Sequence, residues 1–412
     1  MTVRAGDKEV LRELGEKVAR IAALPVQQEA IELWKALNGL EPVRPMVAID
    51  QIPWNEMDVD GELTLRTEDE FCREMETGLR RTLYRWKHMR ADMVVEPVID
   101  VRKIIRGQGF GVDVVEDRAV TDPTSAVVGH NYKDQIPDES DIGKIKDPDP
   151  VLDEDATARR KETAHEIFDG ILEVRMQGSH PVFAPLDRIV TWRGAQNVVL
   201  DVAARPDFMR AVIERTSEAS QVLLDRLEQR NLLGLPQSWI HCTGAFTDEL
   251  PAPGFDPDSP RAKDLWTFGM SQIFSTVSPT MHEEFELEPM SRWFARFGLA
   301  YYGCCEPLDQ KVEMIRKMPN VRKASMSPWV DVERGAENLG GNFVFSRKPS
   351  PAFLARPRWD PEAVEADLRE TVDACARHGC PVELILKDIS TVSYKPQRLW
   401  EWVDVAMRVA RG

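Results

Sequence analysis

The clearest signal of the fold is a series of short apolar runs in the second half of the chain: LAYYGCCE (299–306), RKASMSP (322–328), NFVFSRK (342–348) and VELILKD (382–388). Four similar runs precede them, namely MVAID (46–50), DMVVEP (92–97), PVFAPLD (181–187) and SWIHCTG (238–244). Short runs that are apolar on successive positions are typical of strands buried on both faces of a parallel sheet. The sequence therefore predicts eight such strands.

Stretches with helical periodicity lie between these runs, at 70–89, 157–174, 206–227, 308–318, 361–378 and 396–409. Eight strands that alternate with helices predict an α/β protein, specifically a closed (β/α)₈ TIM barrel. An open, doubly wound sheet is the alternative. The nucleotide-binding version of that sheet needs GxGxxG after an early strand, and GQGFG at 107–111 has the wrong spacing.

The apolar pattern also predicts the domain organisation. Residues 1–43 read as an N-terminal extension of one or two amphipathic helices, and 44–412 as the barrel. Two acidic, proline-containing stretches, at about 116–155 and 245–264, interrupt the pattern and are interpreted as long loop insertions.

Charge and composition restrict the possible partners and the compartment. The 412 residues include 53 Lys and Arg against 69 Asp and Glu, a formal charge of −16, which argues against nucleic-acid or anionic-membrane partners. The sequence has no apolar run long enough for a transmembrane helix, and its charged start lacks a signal-peptide core. Six cysteines are too sparse for a disulfide framework, so we expect a cytoplasmic protein.

Catalytic groups of a barrel lie at the carboxyl ends of its strands. By that rule the candidate catalytic residues are Cys305, Glu306, His241 and Asp388, which offer a thiol, an imidazole and carboxylates for acid–base or nucleophilic chemistry. His241, Cys305 and Glu306 also form a nitrogen, sulfur and oxygen set that suits zinc. The alternative is structural: a free cysteine is a common core residue, and Glu306 could cap the next helix.

Further side chains at the predicted strand ends are candidates for substrate binding. Arg347, Lys348 and Lys387 form a basic group that could hold a substrate carboxylate or form structural ion pairs. Strand alternation leaves open whether Cys304 or Cys305 faces the barrel axis. The complete set of candidate substrate-binding residues is Asp50, Trp54, Glu96, Tyr302, Ser327, Arg347 and Lys387.

Three segments resemble the uroporphyrinogen decarboxylase superfamily, whose members are TIM barrels. They are SQIFSTVSPTMHEEFELEPMSRWFARFG (271–298), KASMSPWVDVERGAENLGGNFVFSRKPSP (323–351) and APLDRIVTWRGAQNVVLDVAARPDFMRAVIE (184–214). The resemblance covers most of 180–412. True uroporphyrinogen decarboxylases carry an arginine-rich motif on the first strand, where this chain reads RPMVAIDQIPWNEM (44–57). The acidic residues there, Asp50 and Glu56, would repel a polycarboxylate porphyrinogen.

A second branch of that superfamily comprises cobalamin-linked methyltransferases. Members that act on thiols hold zinc through a His-x-Cys and a later Cys, where this chain has Tyr302-Gly303-Cys304 and Asp388-Ile389-Ser390. One Cys of that set is kept, the His is replaced by Tyr and the second Cys is missing, so the resemblance fits a member that acts on an ether, an amine or a related compound better than one that acts on a thiol. It implies a methyltransferase or demethylase that moves a methyl group between a small methylated compound and a corrinoid protein carrying cobalamin, with a homodimer as a further expectation. Zinc remains an expectation from His241, Cys305 and Glu306. The alternatives are a decarboxylase and a non-catalytic binding protein on the same fold.

Overall fold

The computed structural model describes residues 3–125 and 127–412, and this part of the chain is rich in helices. No helix in these ranges has both the length and the apolar composition needed to cross a membrane. The helices are α1 (Ala5–Ala22), α2 (Pro25–Asn38), α3 (Glu70–His88), α4 (Glu154–Phe168), α5 (Pro185–Arg193), α6 (Ala195–Ala204), α7 (Pro206–Gln229), α8 (Pro279–Phe294), α9 (Val312–Ile315), α10 (Val332–Leu339), α11 (Ala352–Ala355), α12 (Pro361–Arg377) and α13 (Gln397–Arg411).

The strands are short, as the apolar runs predict. They are β1 (Met46–Ile49), β2 (Val98–Arg102), β3 (Ile105–Arg106), β4 (Glu116–Ala119), β5 (Gly129–Tyr132), β6 (Val151–Leu152), β7 (Glu173–Gln177), β8 (Trp239–Ile240), β9 (Thr243–Gly244), β10 (Trp266–Gly269), β11 (Leu299–Tyr302), β12 (Val321–Met326), β13 (Val344–Arg347) and β14 (Val382–Leu386).

A six-stranded, all-parallel sheet forms the centre of the molecule, in the order β1-β14-β13-β12-β11-β10. Both faces of its strands are buried. Val47 and Ile49 of β1 belong to the large cluster shared with the surrounding helices, whereas Met46 and Ala48 belong to a separate cluster on the other face. This two-sided burial explains why the strands appear in the sequence as continuous apolar runs.

The sheet is strongly curved around its inner face. Tyr301 of β11 bonds Ser346 of β13 at 2.6 Å, and Lys323 of β12 bonds Glu383 of β14 at 2.8 Å. Each pair has one strand between its members, so in a flat sheet their backbones would be roughly 10 Å apart with parallel side chains. The hairpin β8–β9 enters the enclosed space, where the Thr243 hydroxyl donates to Glu383 at 2.7 Å.

The closed eight-stranded barrel is not present among the described residues. β2 and β7 form a separate parallel pair, while β3–β6, β4–β5 and β8–β9 are small antiparallel pairs. The β2 segment approaches the sheet through a backbone hydrogen bond from Asp92 to Val47, at 3.1 Å. The β7 segment approaches it through an isolated bridge between Phe183 and Gly269. The architecture is therefore α/β with a curved six-stranded parallel sheet and a detached strand pair.

Three of the eight predicted strands are wrong in position. The run 92–97 precedes β2 rather than forming it, and 181–187 enters α5, whose first residue is Pro185. The run 238–244 folds back on itself because His241 and Cys242 adopt positive φ angles of 36° and 72°. The sheet strand missed in this region is β10, which directly follows the predicted insertion at 245–264.

The N-terminal helices occupy different environments. Leu11, Leu14 and Val18 of α1 pack with residues of α3 and α4, whereas Trp34 of α2 lies in the cluster on the inner face of the sheet. A Cβ atom on Gly244 would lie 2.5 Å from the Trp34 ring, so only glycine permits this approach. Helix α2 thus covers the end of the sheet opposite the carboxyl ends of the strands.

Candidate active site

The carboxyl ends of β11 and β14 bring together two thiols, an ammonium group and a carboxylate. Cys304 and Cys305 follow β11, and Lys387 and Asp388 follow β14. Lys387 Nζ lies 2.9 Å from Cys304 Sγ, and Cys305 Sγ lies 3.5 Å from Asp388 Oδ2. Two other strands separate β11 from β14, so these contacts depend on the curvature of the sheet. We call the four residues the thiol–lysine cluster.

The two thiols of the cluster differ in proton affinity. Their sulfur atoms lie 3.6 Å apart, and the hydrogen bond from Cys305 lowers the pKa of Cys304, as does the Lys387 ammonium, against the opposing effect of burial. The same hydrogen bond and burial raise the pKa of Cys305. Burial opposes the charge of Lys387, but the adjacent Cys304 and Asp388 raise its pKa overall. The cluster therefore favours a Cys304 thiolate, a Cys305 thiol and a Lys387 ammonium.

Access to the cluster is from the side of Cys305 and Asp388. Cys304 and the Lys387 side chain are buried, Cys305 is half-buried, and the Asp388 side chain is 48% exposed. Asp388 Oδ2 also lies 3.2 Å from Lys387 Nζ. A small molecule that reaches Asp388 would therefore meet the Cys305 thiol first and the ion-paired Cys304 behind it.

Glu306 is turned away from the thiols into the protein. Its fully buried carboxylate accepts hydrogen bonds from the backbone N–H groups of Ser271, at 3.1 Å, and Cys304, at 2.9 Å. Gly303 enables this turn by adopting a φ of +89° directly after β11. Glu306 therefore ties the end of β10 to the end of β11 and fixes the position of Cys304.

Asp187, in the first turn of α5, is a second carboxylic acid close to Glu306. Burial, followed by the negative charge of Glu306, raises the pKa of Asp187 to about 8.

His241 lies inside the curve of the sheet, at the tip of the β8–β9 hairpin. Its ring stacks on Phe268 with 3.8 Å between centroids and meets the edge of Tyr301 at 4.9 Å. Nε2 is buried and has no hydrogen-bond partner within the described ranges. Burial and the ammonium groups of Lys348 and Lys387 hold the pKa of His241 well below its ordinary value. The imidazole is therefore neutral at physiological pH.

Lys348, which follows β13, is a second cation on the inner face. Its Nζ donates to the Tyr301 hydroxyl and, at 2.7 Å, to the Ser346 hydroxyl. Within residues 3–125 and 127–412 it has no carboxylate within ion-pair distance, and burial lowers its pKa to about 8. Lys348 therefore remains largely protonated at neutral pH but can lose its proton readily.

An open groove of about 630 Å³ adjoins the cluster at Asp388. Its lining includes Gln51, Trp54, Thr124 and Ile389. The Arg81 guanidinium lies 4.8 Å from the centroid of the Trp54 ring. In the part of the chain that the structure describes, Arg81 forms no ion pair, and burial lowers its pKa. The groove thus combines an aromatic surface with a cation that is free to bind an anion.

Of the residues predicted for substrate binding, several lie around the carboxyl ends of the strands. Asp50 accepts a hydrogen bond from the Trp239 indole at 3.1 Å, Ser327 is buried after β12, Trp54 lines the groove and Lys387 belongs to the cluster. The catalytic candidates Cys305 and Asp388 are also brought together there.

Three other predicted residues lie away from the cluster. Arg347 points to the helical layer, where it bonds the Ser327 carbonyl at 2.7 Å and lies 3.4 Å from Asp367 of α12. Tyr302 points to the same outer side and donates to Glu286 of α8 at 2.8 Å. Glu96 precedes β2, so it lies near the amino end of a strand rather than the carboxyl end at which it was predicted.

The residues predicted to hold zinc do not fit a metal site. Within the described ranges, no group of three or more His, Cys, Asp or Glu side chains is arranged to hold a metal ion. Both oxygens of Glu306 are occupied by backbone N–H groups, and this explains why His241, Cys305 and Glu306 do not converge on one point.

Two residues of the site are absent from the predicted set of substrate-binding residues: Arg81, which no pattern marks, and Lys348, which is predicted only as part of the basic group with Arg347 and Lys387. Period-two alternation could have identified Lys348, since it shares a strand face with Ser346 while Arg347 takes the other face. Arg81 lies on α3, far from any strand end in sequence, and no local pattern marks it.

Comparison with known proteins finds similarity to solved structures. No protein-family model matches the chain, and no curated protein matches it. Among solved structures, the fold is similar to that of a methyltransferase from Methanosarcina mazei, with a TM-score of 0.50 and 11% sequence identity. The match covers 91% of this chain and 97% of that one. At this identity the similarity establishes a shared overall fold.

Proposed function

We propose that this protein is a methyltransferase that moves a methyl group between a small methylated compound and a corrinoid protein. The observation that carries the proposal is the Lys387 ammonium, which is buried, kept charged by Cys304 and Asp388, and placed beside a groove large enough for a small molecule. The sequence resemblance to the corrinoid-linked branch of the uroporphyrinogen decarboxylase superfamily supports the same activity.

The chemistry of methyl transfer defines what the site must supply. The bond between the methyl carbon and its heteroatom breaks, and both electrons remain on the heteroatom. Negative charge therefore develops on the leaving atom, and a fixed cation that faces it lowers the barrier. Cobalamin on the docked partner would supply the nucleophile that receives the methyl group. The substrate is held between these two, so that the leaving atom faces the cluster and the methyl group faces the opening.

Each residue of the site has a defined part in this scheme. Trp54 and Arg81 bind the body of the substrate in the groove. Lys387 stabilises the leaving atom, and the Cys305 thiol at the rim supplies a hydrogen bond to it. The Cys304 thiolate keeps Lys387 charged and oriented, and Glu306 holds Cys304 in place through its backbone N–H.

The test measures methyl transfer from a panel of methylated amines, ethers, thioethers and alcohols to reduced cobalamin, followed by the change in its absorption spectrum. We expect one class of compound to react, and Lys387→Met to slow that reaction by roughly 10²–10³-fold, as loss of a preorganised charge-stabilising donor does. Lys263→Met, which changes an exposed lysine away from the cluster, is the matched control. Activity of Lys387→Met within twofold of the wild type would refute the proposed role.

Decarboxylation of a small organic acid is the second candidate. It is favoured by Lys348, Lys387 and Arg81, three cations that could hold carboxylates on the same side of the sheet. Release of CO₂ from an acid, without methylation of cobalamin by any member of the panel, would decide for this reaction. If a member of the panel binds but neither methyl transfer nor decarboxylation occurs, the chain is a non-catalytic binding protein.

A further inference from the structure

A second cavity, of about 650 Å³, lies at the carboxyl ends of the detached strand pair β2–β7. One wall comes from Arg102 and Lys103 at the end of β2, and another from residues 177–180 after β7. The third wall is the segment 236–239, which leads into the β8–β9 hairpin. This cavity is distinct from the groove beside Asp388, because the two share no lining residue.

Two cations in this cavity lack a carboxylate partner. Within the described ranges, neither Arg102 nor Lys103 has a carboxylate oxygen within 4.0 Å. The third cation, Arg175, is already neutralised by Asp100, which it binds through two hydrogen bonds of 2.6 and 3.0 Å. The remaining acidic side chain of the lining, Glu74, lies 3.3 Å from Arg160 of α4.

The lining of the cavity carries more cations than carboxylates, although the chain as a whole is acidic. The protein has a net charge of −16, so most of its cations could find acidic neighbours. Adjacent like charges at the end of one strand repel each other, and burial lowers the pKa of Lys103, with only the more distant Asp258 opposing it. An anion bound by both side chains would offset the repulsion between Arg102 and Lys103 and stabilise the charged form of Lys103.

The rest of the lining suits a polar ligand. The Ser179 hydroxyl donates to Gln108 at 2.9 Å, and His180 lies 2.7 Å from the Leu235 carbonyl, so these side chains are held in place by the protein itself. Ser238 adds a hydroxyl, and Trp239 supplies the main aromatic surface. A cavity of this volume falls within the range that small organic ligands occupy.

We propose that this cavity, the Arg102–Lys103 cleft, binds a small molecule that carries a phosphate or carboxylate group. The Arg102 guanidinium offers a planar pair of N–H donors that matches two oxygens of such a group, and the Lys103 ammonium adds a point charge beside it. The site goes beyond the proposed function and does not depend on it, because no residue of the cleft belongs to the thiol–lysine cluster or the groove.

The test is isothermal titration calorimetry at low ionic strength, with inorganic phosphate, glycerol 3-phosphate and citrate as probes. We expect at least one probe to bind, and Arg102→Ala and Lys103→Ala each to raise its Kd by at least about tenfold, since each variant removes a charge-assisted contact. Lys263→Ala removes an exposed lysine elsewhere and should leave the Kd unchanged. Added salt should weaken binding to the wild type.

The three probes separate the two chemical sources of the anion. Tighter binding of glycerol 3-phosphate than citrate assigns a phosphate ligand, and the reverse order assigns a carboxylate ligand. The proposal is overturned if no probe binds at millimolar concentration, or if both variants bind as the wild type does. Circular dichroism and thermal unfolding of each variant establish that a loss of binding does not come from loss of the fold, and Lys103→Met, which keeps the aliphatic stem, provides a second variant.

Discussion

Replacement of Lys387 by methionine should raise the pKa of the Cys304 thiol by about two units. At the 2.9 Å that separates Nζ from Sγ, two unit charges attract by roughly 6 kcal/mol at an effective dielectric constant of 20. Asp388, 3.2 Å from the same ammonium, takes part of that attraction, and the open rim screens more of it. About half should remain, close to 3 kcal/mol, which corresponds to about two pKa units.

The assay is alkylation by iodoacetamide as a function of pH, with each modified cysteine identified by peptide mass spectrometry. Because the thiolate is the reacting species, Lys387→Met should slow alkylation of Cys304 at neutral pH by about ten- to a hundredfold. Lys263→Met is the control for loss of a lysine. A Cys304 profile that does not move along the pH axis in Lys387→Met would show that the ammonium does not set the charge of the thiol, and the account of the cluster would be wrong.

Three further changes test the surroundings of the cluster. The pKa of Asp187 is raised to about 8 in the folded protein, so its contribution to stability is present below the unfolded pKa of 3.8 and is lost as the pH rises to 8. In urea unfolding, Asp187→Asn should therefore match the wild type near pH 4. At pH 8 its free energy of unfolding should exceed that of the wild type by about 1 kcal/mol or more. His241 should show no ring titration by NMR between roughly pH 6 and 8, and His241→Phe should keep the stability of the protein within about 1 kcal/mol, since the ring is neutral and stacked. Lys323→Met should lower the free energy of unfolding by about 3–5 kcal/mol, because it leaves the fully buried Glu383 carboxylate without its cation. The additional change Glu383→Leu should recover part of that loss. Equal stability of the single and double variants would contradict this account of the ion pair.

The predictability of the sheet depends on how its strands are buried. Strands β1 and β11–β14 are buried on both faces, so each carries apolar residues on both faces and the pattern identifies them, although β12–β14 also include polar and charged residues. Strand β7 reads EVRMQ, with partly exposed charged residues, because it belongs to the detached pair and has no helix or sheet over both faces. Its composition carries no burial signal, so the pattern favours the more apolar run after it, at 181–187.

The hairpin β8–β9 shows a second limit of pattern reading. Its sequence WIHCTG is as apolar as a sheet strand because it is buried inside the curve of the sheet. Burial produces the composition, but the positive φ angles of His241 and Cys242 reverse the chain. Histidine is enriched at positive φ but cysteine is not, so the pair is a weak signal of a turn. Composition therefore identified the burial of this segment without identifying its shape.

The candidate site was predictable to the extent that it depends on which residues follow strands. Cys305, Lys387 and Asp388 were identified this way, since a residue that directly follows a buried strand must emerge at its carboxyl end. The rule fails for Arg347 and Glu306, because it locates the backbone and not the direction of the side chain. The alternation of side chains along β13 predicts the direction of Arg347. The direction of Glu306 depends instead on the turn at Gly303, whose φ of +89° directs Glu306 into the protein.

The pairing of Cys304 with Lys387 could not be read from the sequence at any level, and this bears on how the site works. The two residues are 83 positions apart, on strands that have two others between them, and only the curvature of the sheet closes the gap. The charge state of Cys304 is therefore a property of the assembled sheet. Glu306 adds a local constraint, because its bonds to the backbone of Ser271 and Cys304 fix the end of β11 relative to β10. A change that flattens the sheet or frees this loop should therefore separate the thiol from the ammonium and lower the reactivity of Cys304, although neither residue is itself substituted.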